Sequence, residues 1–382
     1  MNKNFSCGAT DGHFTLDSVG AVHVMNKIYK YGRMKIVNTV RLGLMRKPEL
    51  MGLWWECTKR CNLRCKHCFA NAGEGNYQDE LTTAEIKDEL RKIAETYKAE
   101  NISFSVSGGE PLMREDLFEV MEYAKELGYK WGLATNGTLI DENAIEQMKK
   151  SGLSGITISL DGIRETHDSF RGVRGSFDHA LGSVHLLCRA DFLKTIQITT
   201  VFNKQNLGEM GDMYEIVKDS GANSWQVLGV EPLGRANQNS DLVLEPADYP
   251  ILLDFIREIR KEQKISVTFE HSHFLGIDYE YEVRDACFIC QTGITRAGIL
   301  YNGDVFVCPF TPRLPHLIQG NIRERDFCDI WENEFKLFRD ENRTSCDKCK
   351  KCKKWKLCYG GAFHSWDFEN NKQNICMEGS LW

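Results

Sequence analysis

Leu53-Trp54-Trp55-Glu56-Cys57-Thr58-Lys59-Arg60-Cys61-Asn62-Leu63-Arg64-Cys65-Lys66-His67-Cys68-Phe69 is a short apolar run that breaks into a loop with three cysteines spaced C-x3-C-x2-C. Residues 53–56 read as a buried strand, because the run is short, apolar and bounded by polar residues. The pattern then repeats downstream. Further strand candidates lie at residues 102–106, 130–134, 155–159, 196–202 and 224–230, each followed closely by Gly, Ser, Thr or Asn. Helical stretches alternate with them. Thr82-Thr83-Ala84-Glu85 has the form of a capping box, and Ile86, Leu90, Ile93 and Tyr97 follow at helical spacing. Leu117, Val120, Met121, Ala124 and Leu127 make a second stripe, which Gly128 closes. Ser176 opens a third, with Ala180, Leu181, Val184 and Leu187, and two more are expected at 207–219 and 247–263. Six β–α units predict an α/β fold with parallel strands. A partial (β/α)6 barrel and an open doubly wound sheet both fit, and in either the chemistry belongs at the strands' C-terminal ends.

The 382 residues carry a mild net charge of −6, which argues against non-specific nucleic-acid binding. No apolar run is long enough for a membrane span. Residues 25–47 are basic with interspersed apolar residues, and are expected to form an amphipathic helix packed on the main domain, with a helix lying on a membrane surface as the alternative. Fifteen cysteines are the unusual feature. Four lie within residues 57–68 and nine from Cys287 onward, with Cys188 alone in the long stretch between. A disulfide scaffold spreads cysteines along a short secreted chain. This clustering, with no export signal, predicts metal ligation in a reducing cytoplasm.

Three thiolates on one loop can hold three irons of a 4Fe–4S cube and leave the fourth iron open. A zinc site is the alternative from spacing alone, completed by Cys57 or His67. Past residues 278–286 the pattern becomes loop-rich, with a hairpin expected at 300–307 on Asn302-Gly303. The expected organisation is an N-terminal extension (1–50), a core (51–280) and a Cys-rich domain (281–382).

The C-x3-C-x2-C loop followed by Phe69 resembles the signature of the radical S-adenosylmethionine (SAM) superfamily. Ser107-Gly108-Gly109-Glu110-Pro111 is similar to that family's GGE motif, and Thr135-Asn136-Gly137, Ser159-Leu160-Asp161-Gly162, Arg171 and residues 229–234 fall in matching order. The resemblance implies that Cys61, Cys65 and Cys68 hold a SAM-cleaving 4Fe–4S cluster. It implies SAM contacts from Phe69, Gly108, Gly109, Glu110, Asn136, Ser159 and Arg171, with the Glu110 carboxylate meeting the SAM amino group and Arg171 the SAM carboxylate. Cys57 matches nothing in the motif and is expected to be a packed thiol.

The C-terminal cysteines, with a G-x4-C segment at Gly303–Cys308 and C-x2-C-x2-C-x5-C at Cys346–Cys358, resemble the SPASM extension of that superfamily, which carries auxiliary 4Fe–4S clusters. The family's fourth position in this block falls on Ala362. The resemblance implies one auxiliary cluster on Cys349, Cys352, Cys358 and Cys376, and a second on Cys287, Cys290, Cys308 and Cys346. Cys328 sits in an apolar helical stretch and is expected in the core.

What the family implies is reductive SAM cleavage to a 5′-deoxyadenosyl radical and oxidation of a peptide or protein, with an electron donor such as flavodoxin or ferredoxin. Oxidation or decarboxylation of a tetrapyrrole side chain in haem biosynthesis is the alternative. A non-catalytic iron–sulfur electron carrier is the alternative of another class. Pro309 stands where sulfatase-maturing relatives carry an Asp base, so that activity is not expected. A leader-peptide module would have to be a separate protein, since about 50 residues precede the first strand. His67, Glu231 and Arg235 are polar candidates at the mouth without an assigned role.

Overall fold

The computed structural model describes residues 18–73, 77–270 and 273–382, with side chains from residue 27 onward. Cys7 lies outside the described residues.

A long helix, α1 (Ser18–Arg46), precedes the first strand. Parallel strands follow: β1 (Gly52–Glu56), β2 (Ser103–Ser107), β3 (Lys130–Thr135), β4 (Leu153–Ser159), β5 (Thr195–Phe202), β6 (Ser224–Gly229) and β7 (Ser266–Phe269). The helices between them are α2 (Thr83–Thr96), α3 (Leu117–Glu126), α4 (Glu142–Lys150), α5 (Arg164–Arg171), α6 (Ser176–Ala190), α7 (Met210–Asp219) and α8 (Tyr249–Glu262). The capping box at Thr82 is present in full and fixes the start of α2.

Strands β1 to β7 are neighbours in chain order. A doubly wound sheet reverses its order at a switch point. Consecutive order instead puts every connecting helix on one face and curls the sheet, which is the partial barrel the sequence predicts. Alternation decides which residues face which way. Trp55, Phe104, Val106, Trp131, Leu133, Ile156, Ile158, Trp225 and Val227 are almost wholly buried and join the core under the helices. Ser105, Ser107, Thr157, Ser159, Gln197, Thr199 and Gln226 point the other way and line an internal cavity.

The C-terminal region contributes α9 (Gly276–Glu280), β8 (Arg296–Ile299), β9 (Asp304–Phe306), β10 (Gly320–Asn321), α10 (Phe327–Asn333), α11 (Asp347–Lys351) and α12 (Trp355–Cys358). Strand β8 pairs parallel with β1, and β9 and β10 extend the same sheet. The expected hairpin is formed, with Gly303 in the left-handed region (φ +89) at its turn. Strand β7 was not anticipated, since four residues after α8 are too short a run to stand out. Helix α1 packs on α9, at the end of the expected core, and on α12 in the Cys-rich region, with Met34 joining Phe274 and Leu357, so it bridges the two. Among the described residues no helix is long and apolar enough to cross a membrane.

Candidate active site

The cavity inside the sheet has a volume of about 880 Å³, within the range of small-molecule sites. Cys61, Cys65, Cys68, Phe69, Gly108, Gly109, Asn136, Ser159 and Arg171 all line it. Its wall near the C-terminal region carries Pro309, Phe310 and His364. Phe310 packs on Phe69 at a ring separation of 4.6 Å and on His364 at 5.4 Å.

The Cys loop is held from three sides by main-chain groups. On one flank the Gly109 and Glu110 N–H groups donate to Thr58 O and Arg60 O, both at 2.8 Å. A Cβ on Gly108 would stand 2.4 Å from Thr58 O, and one on Gly109 2.2 Å from Arg60 O, so neither position admits a side chain. On the second flank Arg64 and Lys66 N–H donate to Arg171 O and Phe170 O at the end of α5. The third flank is the segment after β6. Arg235 donates to Cys65 O (2.8 Å) and Ala72 O (3.0 Å), its N–H to Cys68 O (3.0 Å), and Asn239 donates to Lys66 O (3.1 Å). Gly234 (φ +55) lets this segment close in, because a Cβ there would lie 2.4 Å from Cys68 O.

The donor set fits an iron–sulfur cube. Burial pushes the Cys61 thiol up to about 11 and raises Cys65 as well, so thiolates here need a compensating charge, which a bound cluster would supply. Leu63 and Ala72 N–H groups point at the sulfurs of Cys61 and Cys68 (3.4 and 3.5 Å). The Arg171 guanidinium lies 3.5 Å from Cys65 Sγ. Among the described residues no three His, Cys, Asp or Glu side chains form a group that could hold a single metal ion. A cube takes each thiolate at its own corner, so its ligands need not meet at one point.

The Glu110 side chain is fully buried and accepts hydrogen bonds from Thr135 Oγ1 (2.8 Å), Asn136 N (2.8 Å) and Leu112 N (3.1 Å). Those bonds fix the turn after β3, so in this structure the carboxylate supports the cavity wall. Arg171 does reach the cavity, but it pairs with Asp161 at 2.5 Å as well as touching Cys65. His67 stacks flat on Phe170 (4.3 Å), with Nε2 3.9 Å from Asp161. Burial lowers His67 to about 3, leaving it neutral.

The C-terminal cysteines fall into separate groups. Cys346 Sγ lies 3.4 Å from Cys349 Sγ, with Cys376 and Cys358 close enough to feel the Cys349 charge. Burial pushes Cys349 up to about 11 and Cys358 up to about 12. Cys346 thus lies beside Cys349, a member of the expected first set. Cys290 and Cys308 are both buried and electrostatically coupled. Cys290 Sγ accepts the Phe363 N–H (3.4 Å), and His364 Nδ1 lies 4.0 Å from Cys308 Sγ. The loop that carries Ala362 thus reaches this pair without bringing a thiol. Cys287 packs with Met34, Phe274, Leu357 and Cys358. Cys352 is half-buried at the end of α11. Cys57 and Cys328 are core thiols, as expected.

Sequence reasoning missed the clamp made by Arg235 and Asn239 and the anchoring of Arg171 by Asp161. Glu231, placed at the mouth from the sequence without a role, does line the cavity, and what was not foreseen is its meeting with His273 Nε2 at 3.1 Å and His364 Nε2 at 3.9 Å. His273 and His364 lie far along the chain, and nothing in their spacing signals this meeting. The polar inward row had a signal: Ser103-Phe104-Ser105-Val106-Ser107 alternates with period two.

Comparison with known proteins agrees with this architecture. The Radical SAM superfamily profile matches residues 55–217, and SPASM, an iron–sulfur cluster-binding domain, matches residues 290–353. The AdoMet-dependent heme synthase of Methanosarcina barkeri is 33% identical over 84% of this chain and 92% of its own length. Mycofactocin maturase MftC of Mycobacterium tuberculosis is 29% identical over 81% of this chain and 77% of its own. The structure of Streptococcus suis SuiB bound to S-adenosylmethionine superposes with a TM-score of 0.68 over 87% of this chain and 77% of that one, at 19% identity. The chain belongs to the radical SAM superfamily and carries a SPASM domain, so it is an enzyme whose cofactors are SAM and 4Fe–4S clusters.

Proposed function

We propose that this enzyme is an oxidoreductase that modifies a peptide or protein side chain, with Cys61, Cys65 and Cys68 holding the SAM-cleaving cluster. When bound, cluster and SAM supply a 5′-deoxyadenosyl radical that removes a hydrogen atom from an unreactive C–H bond. Phe69, Gly108, Gly109, Asn136 and Ser159 are the proposed SAM contacts. Arg235 and the paired glycines keep the loop rigid, and Arg171, pinned by Asp161, places positive charge on Cys65. Cys346, Cys349, Cys358 and Cys376 are the proposed ligands of a closed auxiliary cluster, and Cys290 and Cys308 of a second site. These auxiliary sites would accept the second electron of the oxidation.

The observation that carries the substrate class is the charge of the cavity wall. Substrates with several carboxylates are bound by available cations, usually bidentate arginines. Among the described residues Arg171, Arg235 and Lys130 line the cavity. Arg171 is committed to Asp161, Arg235 to main-chain carbonyls, and Lys130 lies at the N-terminal end of β3. The wall near Phe310 is built from Phe69, Leu233 and Phe310, with Glu231 held beside His273 and His364. That surface suits a neutral or cationic side chain.

The 33% identity to a heme synthase over most of both chains favours a second reading, oxidation of a porphyrin propionate. One experiment separates the two. The reconstituted enzyme, with SAM and dithionite, is offered a propionate-bearing iron porphyrin, and in parallel is co-expressed with each small open reading frame found beside its gene. A peptide lighter by two hydrogens supports the proposal. Loss of porphyrin carboxyl groups with no peptide change sinks it in favour of the second reading.

A further inference from the structure

Helix α1 contains Lys27, Lys30, Arg33, Lys35, Arg41 and Arg46, and no Asp or Glu, in a chain of net charge −6. Its inner face is accounted for by Met34, Asn38, Arg41 and Met45, all buried, with Asn38 donating to Lys356 O and Arg41 over the Tyr359 ring. The opposite face is apolar too. At 3.6 residues per turn, Ile28, Tyr29, Gly32, Ile36, Val40 and Gly43 share one side of the helix, about 22 Å long. Ile28 and Ile36 are each 65% exposed, Tyr29 64% and Val40 56%. No charged residue interrupts that strip, and Arg33 and Lys35 stand at its edges.

A helix that is apolar on both faces is normally buried on both. The cations decide what covers the outer one. Lys27 and Lys30 are matched by Asp278 and Glu282. Arg33 lies over Tyr281, and neither it nor Lys35 has an acidic partner among the described residues. A second copy of the same helix would set like charges against like. An acidic polypeptide seeks a groove for its apolar side chains, whereas this strip is a convex ridge. A ridge of aliphatic side chains with a tyrosine at the strip and cations along its rim matches the boundary of a bilayer, where apolar residues enter the acyl region and Lys and Arg extend to lipid phosphates.

We infer that the outer face of α1 rests on an anionic lipid surface and holds the enzyme peripherally on a membrane. This does not depend on the substrate proposed above. The interaction is interfacial and reversible. Helix α1 packs mainly on α9 and α12, away from the Cys loop at the end of β1.

The test uses the full-length reconstituted enzyme in co-sedimentation with extruded vesicles, of phosphatidylcholine alone or with about one third phosphatidylglycerol. Binding is expected only to the anionic vesicles and should weaken as salt screens it. Ile36→Glu with Val40→Glu should abolish it at unchanged iron content and circular dichroism. Arg33→Gln and Lys35→Gln should each weaken it about five-fold. Equal binding to both vesicle types, no binding to either, or full binding by the Ile36/Val40 variant would overturn the inference. So would capture of poly-L-glutamate by an enzyme that ignores vesicles, which would make the occupant an acidic polypeptide.

Discussion

The two cysteine-rich regions of this chain are built on opposite plans. Cys61, Cys65 and Cys68 sit on one loop at the end of β1, and that loop's main chain is gripped by groups from the ends of β2 and α5 and by the Arg235 and Asn239 side chains after β6. The C-terminal cysteines come from residues as far apart as Cys290 and Cys376, on short helices and loops with few regular partners. In the first region the scaffold fixes the ligands. In the second the ligands must help fix the scaffold, as in small metal-bound domains where binding free energy is folding free energy.

The largest effect should come from Cys65→Ala. It should remove one cluster's iron and reduce 5′-deoxyadenosine to background, read by mass spectrometry, while leaving the fold's circular dichroism intact. Cys358→Ala should do the reverse. It should lower iron by about four per chain, keep deoxyadenosine formation within about two-fold, and make the C-terminal region sensitive to proteolysis. If Cys65→Ala were proteolysed and Cys358→Ala were not, the contrast between the regions would be broken. Arg235→Ala tests the clamp itself. Loss of a group that orients ligands should cost about ten-fold in deoxyadenosine formation, with Arg235→Lys recovering part of it. Smallest is Cys57→Ser, where a hydroxyl replaces a core thiol. It should lower stability by about 1–3 kcal/mol in thermal unfolding with iron unchanged.

How far each region could be read in advance follows from the same difference. The six core strands, the capping box at Thr82 and the three loop cysteines all depend on neighbours within a few residues, and period and spacing record such neighbours directly. The pairing of β8 with β1, the meeting of Glu231 with His273 and His364, and the clamp from Arg235 join residues far apart in the chain, and no local pattern encodes them. Glu110 is a subtler case. The motif marks the position, but which N–H groups its carboxylate satisfies, here those of Asn136 and Leu112, depends on the fold around it. For the C-terminal cysteines, spacing gives the order of ligands and not the direction in which each side chain leaves the chain.

The most direct test of the central claim uses the anaerobically reconstituted wild-type chain. Dithionite and SAM are added, and iron, sulfide and 5′-deoxyadenosine are measured together. The account predicts about 8–12 irons per chain and deoxyadenosine formed with methionine in equal amounts. Bound zinc in place of iron, or a full complement of iron with no SAM cleaved, would contradict it.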